Sequence, residues 1–479
     1  MFVDRQQDLH DLNTILARKT SQFVIVSGRR RVGKTTLLLE WARRSGLPFM
    51  YWVANRSSNL LLLQSISQAL WRFSDPGTVM PSQFSYDSWT QAFERIAQLA
   101  AERRTIFILD ELPYIIETDT SFTSQLQNAW DHHLKNSQVC LLVAGSHIAM
   151  MNELQAYQAP LYGRFTAQVR VDALPFHALR DFFPRYDAAT RVAVYAILGG
   201  IPAYLEQLSD EVNLRTNLDR TLFERIGMFH TEPTVLIGDL VREPRNYSAI
   251  IQAIAADNHT REKIASVNAI PTSNVGTYLA RLVELQLIDR RTPATLPPDH
   301  PRTTQSRYYL RDPFLRFYYR FIEPHRDLIE LGLKDALWQI INDQIRAFIG
   351  LTTFEDLCRE WTLNQARTGR LPFVPYAVSS HWDATVQVDV AAVSWREKAI
   401  LLGECKWTGE ALPRNIVAEL IEQKTPKVLA SLPNKGEGWR VHYALFSRNG
   451  FTPEASTLGR THHAYLIDLD HLDSDLTPA

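Results

Sequence analysis

Residues 28–36 read Gly-Arg-Arg-Arg-Val-Gly-Lys-Thr-Thr, and their types and spacing make a cradle for phosphate. Gly28 and Gly33 bracket a loop that can turn its backbone N–H groups inward, because glycine adopts the angles such a wrap demands. Lys34 adds a mobile cation, Thr35 a hydroxyl for a divalent ion, and Thr36 continues the same turn. Further along, TIFILDE (105–111) ends an apolar run in Asp110 and Glu111. At the carboxyl end of a strand, Asp110 can contact Mg2+ and Glu111 can polarise an attacking water. Alone, an acid pair is as readily a solvated strand end. Downstream of a phosphate loop it completes the equipment for hydrolysing ATP.

A third group lies in residues 385–407, TVQVDVAAVSWREKAILLGECKW. A first strand carries Asp389, a turn falls at 395–398, and a second strand ends in Glu404, Cys405 and Lys406. Side chains alternate along a strand, so Glu404 and Lys406 share a face and Cys405 points to the other. Asp389 on the neighbouring strand can join them, and Glu355 stands upstream on the helix FEDLCREW. One lysine with two or three carboxylates can bind Mg2+, at Asp389 and Glu404, and orient a water for phosphodiester hydrolysis. The competing reading is a charged hairpin edge that discourages strand pairing. The apolar setting of LLGECKW weighs against it, since it implies a partly buried carboxylate. Lys424, in the following helix, reads as a solvated helix residue.

Positioning these groups takes sheets and helices. QFVIVSG (22–28), PFMYWVA (48–54), TIFILDE and QVCLLVAGS (138–146) are continuous apolar runs, which suit parallel strands covered on both faces. TTLLLEWARR (35–44) is the helix after the first glycine turn. Residues 1–240 therefore predict an α/β P-loop domain with a parallel sheet and a helical lid. Residues 245–312 predict helices at 248–257, 260–269 and 272–288, with Thr260 and Thr272 as N-caps, then a Pro-rich hairpin at 291–310. Three helices and a wing outline a winged helix-turn-helix. Eight Lys/Arg stand against five Asp/Glu between 248 and 311, a mild excess, yet Arg290, Arg291, Arg302 and Arg307 cluster at the wing. Such arginines can contact DNA phosphates, and Ser273 and Asn274 open the third helix where base or phosphate contacts arise. A protein-contact module is the alternative. Residues 313–350 predict an aromatic helical connector. Residues 351–479 predict a mixed α/β domain with the 385–407 hairpin and a helix at 413–430.

The first 240 residues resemble the archaeal-type ATPase family, within the AAA+ and STAND group. FVDRQQDL resembles that family's F-x-x-R-x-x-E-L box near the adenine, with Gln7 and Asp8 where acidic residues are usual. VAGSHIAMM resembles the sensor 1 strand, with Ser146 in the polar position. PLYGR resembles the next landmark and supplies Arg164, and GGIPAYL resembles the Gly-x-Pro motif, here Gly200 and Pro202, near the base. The resemblance implies ATP and Mg2+ as cofactors. It also implies that Arg164 senses the γ-phosphate, sometimes a neighbouring subunit's, and hence a homo-oligomer; a structural salt bridge is the alternative for Arg164. The C-terminal residues resemble the PD-(D/E)XK nuclease superfamily, with its restriction-endonuclease-like fold: Glu355, Asp389, Glu404 and Lys406 match its helix acid, D, E and K. The same region resembles the domain that commonly follows archaeal-type ATPase modules.

The formal net charge of -1 gives no global signal for nucleic acid, and 45% hydrophobic with 22% charged residues over 479 positions allows several cores. Cys140, Cys358 and Cys405 lack paired metal-ligand spacing, which argues against a disulfide framework or zinc site and fits a reducing compartment. The polar start lacks a signal-peptide core, and no run reaches the ~20 apolar residues that cross a bilayer. The expectation is a cytoplasmic protein without membrane contact. Its expected function is ATP-controlled DNA processing, with the ATPase as motor or switch, the winged helix as DNA clamp and the C-terminal domain as metal-dependent nuclease. A STAND-type signalling switch, or a DNA-binding ATPase with an inactive nuclease fold, stands as the alternative.

Overall fold

Apolar runs too continuous for a half-exposed sheet must be covered on both faces, and in the first half of the chain they are. The computed structural model describes residues 2–81, 83–238, 240–241, 244–298 and 305–477. The four runs form β1 (Gln22–Ser27), β2 (Phe49–Val53), β3 (Thr105–Asp110) and β4 (Val139–Gly145), joined by β5 (Ala167–Arg170). All five are parallel, in the order β2-β3-β4-β1-β5. β5 escapes a reading of the sequence because it is a four-residue edge strand, AQVR, with Val169 alone fully buried. Helices Asn59–Ser74, Trp89–Glu102 and Phe122–His132 pack over Phe23, Ile25, Phe107, Leu109 and Leu141. Helices Gln6–Leu16 and Lys34–Arg44 bury Leu12, Leu38 and Trp41. This unit comprises Met1–Leu174 with Ile201–Ala203.

The second unit comprises Pro175–Gly200 and Tyr204–Ala479. Helices Ala188–Leu198, Leu214–Thr221 and Met228–Gly238, grouped by sequence with the first domain, lie here. The reason is packing: Ala188, Val192 and Ala196 are buried with Phe354, Leu357 and Leu472. Helices Pro244–Ala255, Arg261–Val267 and Thr272–Glu284 follow, then the antiparallel pair β6 (Ile288–Arg291) and β7 (Arg307–Leu310). Thr260 caps its helix, its hydroxyl accepting from Lys263 N at 3.3 Å. Thr272 does not cap: Pro271 takes that position, its fixed φ starting the helix one residue earlier, and the Thr272 carbonyl accepts from Arg261 instead. The third helix also stops at Glu284, because Gln286 turns to φ 59° before β6.

Beyond helices Lys334–Phe348 and Glu355–Arg367 lies a second sheet of β8 (Ala377–Trp382), β9 (Gln387–Ser394), β10 (Ala399–Lys406), β11 (Arg440–Ser447) and β12 (Tyr465–Asp468). Its order is β12-β11-β10-β9-β8, antiparallel from β8 to β10 and parallel from β10 to β12. The turn between β9 and β10 falls at 395–398 as the sequence predicts, with Ala399 opposite Ser394. No helix among the described residues is long and apolar enough to cross a membrane.

Gly28, which follows β1, tests how tightly the first sheet fixes its loop. A Cβ there would lie 2.4 Å from the Val171 carbonyl oxygen, a backbone atom that cannot rotate away. Gly28→Ala is therefore expected to overpack this point at about 1–3 kcal/mol, seen as a fall in Tm of about 3–10 °C for a unit of this size. An unchanged Tm by calorimetry would show that loop and strand yield freely.

Candidate functional site

In the first unit the order of strands assembles the site. β1 runs into the glycine loop, β3 ends in Asp110, and β4 lies between them, so the carboxyl ends of all three converge. Gly33 takes φ 92°, which only glycine adopts cheaply, and leads into helix Lys34–Arg44. Lys34 is 6% exposed, and its ammonium donates to the Gly28 oxygen at 2.8 Å and the Arg29 oxygen at 3.1 Å. Burial pulls its pKa down, against the pull of Glu111 and Asp110. Thr35 Oγ1 donates to Asp110 Oδ2 at 2.7 Å, and the Tyr51 hydroxyl donates to the same oxygen at 3.0 Å. Asp110 Oδ1 accepts from Glu111 N at 2.9 Å, and Ser146 Oγ donates to Glu111 Oε2 at 3.0 Å. Glu111 itself is held at φ 55°, a left-handed conformation that costs a non-glycine residue about 1–2 kcal/mol. Strain of this kind persists where the surroundings fix a side chain for a task.

The phosphate-loop residues, the acid pair and Ser146 are thus brought together. Thr36 is exposed on the first turn of the helix, and Pro202 lies near the loop, 3.8 Å from where a Gly33 Cβ would stand. The arrangement suits a nucleotide polyphosphate. Lys34 is a desolvated cation with only carbonyl oxygens to receive it, and Thr35 with Asp110 offers the hard oxygen ligands that Mg2+ takes.

Arg164 is placed elsewhere in its bonding. It donates to both Asp131 oxygens, at 2.7 Å to Oδ2, and to the Pro160 and Tyr162 carbonyls. Arg5 and Tyr51 were not singled out in the sequence. Arg5 is buried and donates to the Val32 oxygen inside the glycine loop at 2.7 Å, to the Asp172 oxygen at 2.8 Å and to Asp8 at 3.1 Å. The arginine of FVDRQQDL was its signal. Tyr51 had none, being one aromatic in an apolar strand.

In the second unit, Asp389, Glu404, Lys406 and Glu355 also meet. Lys406 Nζ lies 2.7 Å from Glu404 Oε1. Lys424 Nζ lies 2.8 Å from Glu404 Oε2, which corrects its reading as a solvated residue. A π-helical turn at Glu419–Lys424 interrupts the helical periodicity ahead of it, so a 3.6-residue spacing misplaces it. Asp389 Oδ2 accepts from Cys405 N at 3.0 Å. Glu355 Oε2 lies 3.2 Å from Arg359, whose guanidinium also donates to the Asp389 carbonyl, Ser380 Oγ and Asp356. Arg359, unremarked in the sequence, is the fixed point of this cluster. Burial first, and Asp389 second, push Glu355 up to about 8; burial and Glu404 push Asp389 up to about 6. Burial opposes the charge of Lys406, but Glu404 outweighs it and the lysine is held above its ordinary value. Among the described residues, no group of three or more His, Cys, Asp and Glu side chains is arranged to hold a metal ion.

Of the four arginines that the sequence groups at an expected wing, Arg291 lies 2.9 Å from Asp356 and stacks over Tyr309. Arg290 donates to Ser306 Oγ, and Arg307 donates to Gln387 and stacks over Trp382. Arg302 lies outside the described residues. Ser273 and Asn274 are exposed at the start of their helix.

Comparison with known proteins assigns an ATPase domain to the first part of the chain. Residues 2–208 match the model of an ATPase domain predominantly from Archaea. Residues 318–418 match a model described as archaeal and bacterial proteins of unknown function. An uncharacterised protein of Methanocaldococcus jannaschii is 30% identical over 409 residues, 85% of this chain and 88% of that one. Among solved structures, a Walker-type ATPase of Pyrococcus abyssi shares the fold, with a TM-score of 0.51 and 18% identity, over 67% of this chain and 96% of that one. An ORC2 protein of Aeropyrum pernix, solved with ADPNP and ADP, gives a TM-score of 0.45 at 13% identity, over 69% of this chain and 95% of its own.

Two measurements test these sites. Lys34→Ala is expected to abolish tight ATP binding in calorimetric titration, while Glu111→Gln keeps binding and loses phosphate release by about a hundredfold or more. Normal turnover in Glu111→Gln would place the base elsewhere. The second concerns Glu355. A carboxyl raised on folding contributes stability that is whole below its ordinary value of 4.5 and is lost as pH rises through about 8. The Tm of the wild type should therefore fall relative to Glu355→Gln between about pH 5 and about pH 9. Parallel curves would mean that Glu355 is ionised throughout.

Proposed function

The chain belongs to the archaeal family defined by that ATPase domain, and from this premise we propose that it couples ATP hydrolysis to metal-dependent cleavage of DNA. The first half of the proposal rests on the P-loop, the acid pair and the family together. When bound, Mg2+ would be held by Thr35 and Asp110 and would neutralise charge on the phosphates. Lys34 would exchange its two carbonyl partners for phosphate oxygens. Glu111, oriented by Ser146 and by its own strained backbone, would accept the proton of the attacking water.

The observation that carries the second half is the Asp389–Glu404–Lys406 cluster with Glu355 beside it. Burial and the Asp389 charge raise Glu355, and burial and the Glu404 charge raise Asp389, so an added cation here would relieve a cost that Arg359, Lys406 and Lys424 only partly offset. Mg2+ is commonly held by one or two carboxylates together with substrate phosphate. Asp389 and Glu404 would supply those carboxylates. Lys406 and Lys424, both on Glu404, would steady the phosphate as charge builds on it. Helix Thr272–Glu284 and the β6–β7 pair, as a winged helix-turn-helix, would hold the duplex through Ser273, Asn274 and Arg290. We also propose that ATP drives association of copies of this chain, which would need Arg164 to leave Asp131 if it is to reach a neighbour's phosphate.

The test is cleavage of plasmid, single-stranded and branched DNA with Mg2+ or Mn2+ and ATP, beside an ATPase assay. Asp389→Ala and Lys406→Ala are expected to lose cutting by about a hundredfold or more, with ATP hydrolysis near normal; Glu355→Ala should be milder. A wild type that cuts none of these substrates would leave the signalling switch or the inactive nuclease fold in its place.

A further inference from the structure

β2 carries none of the motif residues of the phosphate site, yet one of its side chains reaches the middle of that site. Tyr51 lies opposite Ile108 in the parallel β2–β3 pair. Residues opposite one another in such a pair share a face, and so do residues two apart along a strand. Tyr51 therefore shares a face with Ile108 and Asp110, while Met50, Trp52, Phe107 and Leu109 fill the core on the other. A phenol is long enough to span the remaining step, and its hydroxyl donates to Asp110 Oδ2 at 3.0 Å.

Asp110 is buried, and its carboxylate accepts from three donors among the described residues: Thr35 Oγ1 and the Tyr51 hydroxyl on Oδ2, and Glu111 N on Oδ1. The three differ in what else is asked of them. Thr35 has a single hydroxyl oxygen, which must serve Mg2+ as well as Asp110. Glu111 N belongs to the residue that would take a proton from water, itself held at φ 55°. Tyr51 has no second duty. The terminal torsion of a carboxylate is broad and soft, so an aspartate held by Thr35 and its own chain neighbour alone could turn as those groups engage. A third donor, anchored on a separate strand, removes that freedom. A buried tyrosine hydroxyl finds some partner in most folds; here the partner is a charged oxygen at the reacting end of the sheet.

We propose that Tyr51 is a positioning residue for ATP hydrolysis, its hydroxyl holding the Asp110 carboxylate in the orientation that receives Mg2+ beside Thr35. The proposal rests on the reading of Thr35 and Asp110 as the magnesium groups, and adds that their geometry is set from β2 before any ligand arrives. Tyr51 acts through Asp110 and not on the nucleotide. Loss of its hydroxyl should therefore weaken the metal-dependent part of nucleotide binding and spare the part that Lys34 and the glycine loop supply. A hydrogen bond to a charged group corresponds to about tenfold or more in an equilibrium constant.

Calorimetric titrations with ADPNP, which resists hydrolysis, would compare the full chain as wild type, Tyr51→Phe, Asp110→Asn and the double variant, each in excess Mg2+ and in EDTA. Mg2+ should tighten binding to the wild type. Tyr51→Phe keeps the ring that fills the space, and should lose about tenfold in affinity with Mg2+ and none in EDTA. Asp110→Asn removes the charge that Mg2+ would meet and should abolish the Mg2+ effect, so adding Tyr51→Phe to it should cost nothing further. In hydrolysis assays Tyr51→Phe should raise the Mg2+ concentration needed for half the maximal rate. A hydroxyl that merely supports the fold would weaken both titrations alike, or add its effect to that of Asp110→Asn, and either result would overturn the proposal. A full Mg2+ effect in Tyr51→Phe would overturn it too, with the magnesium reading left standing. Equal binding by the wild type with and without Mg2+ would remove that reading and the proposal together.

Discussion

A lysine ammonium almost wholly withdrawn from water, with two backbone oxygens as its bonded partners, is the constraint around which the first unit is organised. Such a charge is costly unless the surroundings answer it. Here the answer is partial: Gly28 and Arg29 offer carbonyls, while Asp110 and Glu111 act at a distance. A polyphosphate completes what the protein leaves incomplete. The strand order makes this possible, because β4 separates β1 from β3 and leaves room between the loop and the acids. Arg5 reaches Val32 within the loop and so fixes its shape before any ligand arrives.

The second unit solves a different problem with the same physics. Asp356 would be raised by burial alone, yet Arg291, Arg359 and Arg316 around it hold it well below the ordinary carboxylate range. This aspartate therefore stays ionised and pins Arg359, which in turn fixes Glu355 and the Asp389 backbone. Glu355 and Asp389 receive no comparable surplus of cations and rise instead. Within one cluster, three arginines hold one carboxylate down, while Arg359 at Glu355 and Lys406 with Lys424 at Asp389 only partly offset burial and a neighbouring acid. Because Arg291 belongs to β6, the helix-and-hairpin segment is tied by charge to the acid cluster.

What the sequence disclosed follows from what is local. The glycine loop, the acid pair after β3 and the alternation of Glu404 and Lys406 are set by neighbours in the chain, and each was legible. So was the β9–β10 turn. Arg359 and Lys424 were not, because their meaning lies in contacts across the fold, and a π-helical turn before Lys424 breaks the periodicity that would have placed it. β5 was missed since an edge strand needs little apolar sequence. Thr272 was misassigned because a proline before it could start the helix without a side-chain cap.

The arginines of the β6–β7 segment show how composition and structure part company. A cluster of Arg290, Arg291 and Arg307 in the sequence suggests a surface charge waiting for phosphate. In the fold, Arg291 is spent on Asp356, Arg307 on Gln387 and Trp382, and Arg290 on Ser306. A guanidinium has five donors, so the bond to a neutral glutamine leaves Arg307 a net positive field, whereas Arg291 facing a carboxylate has none to spare.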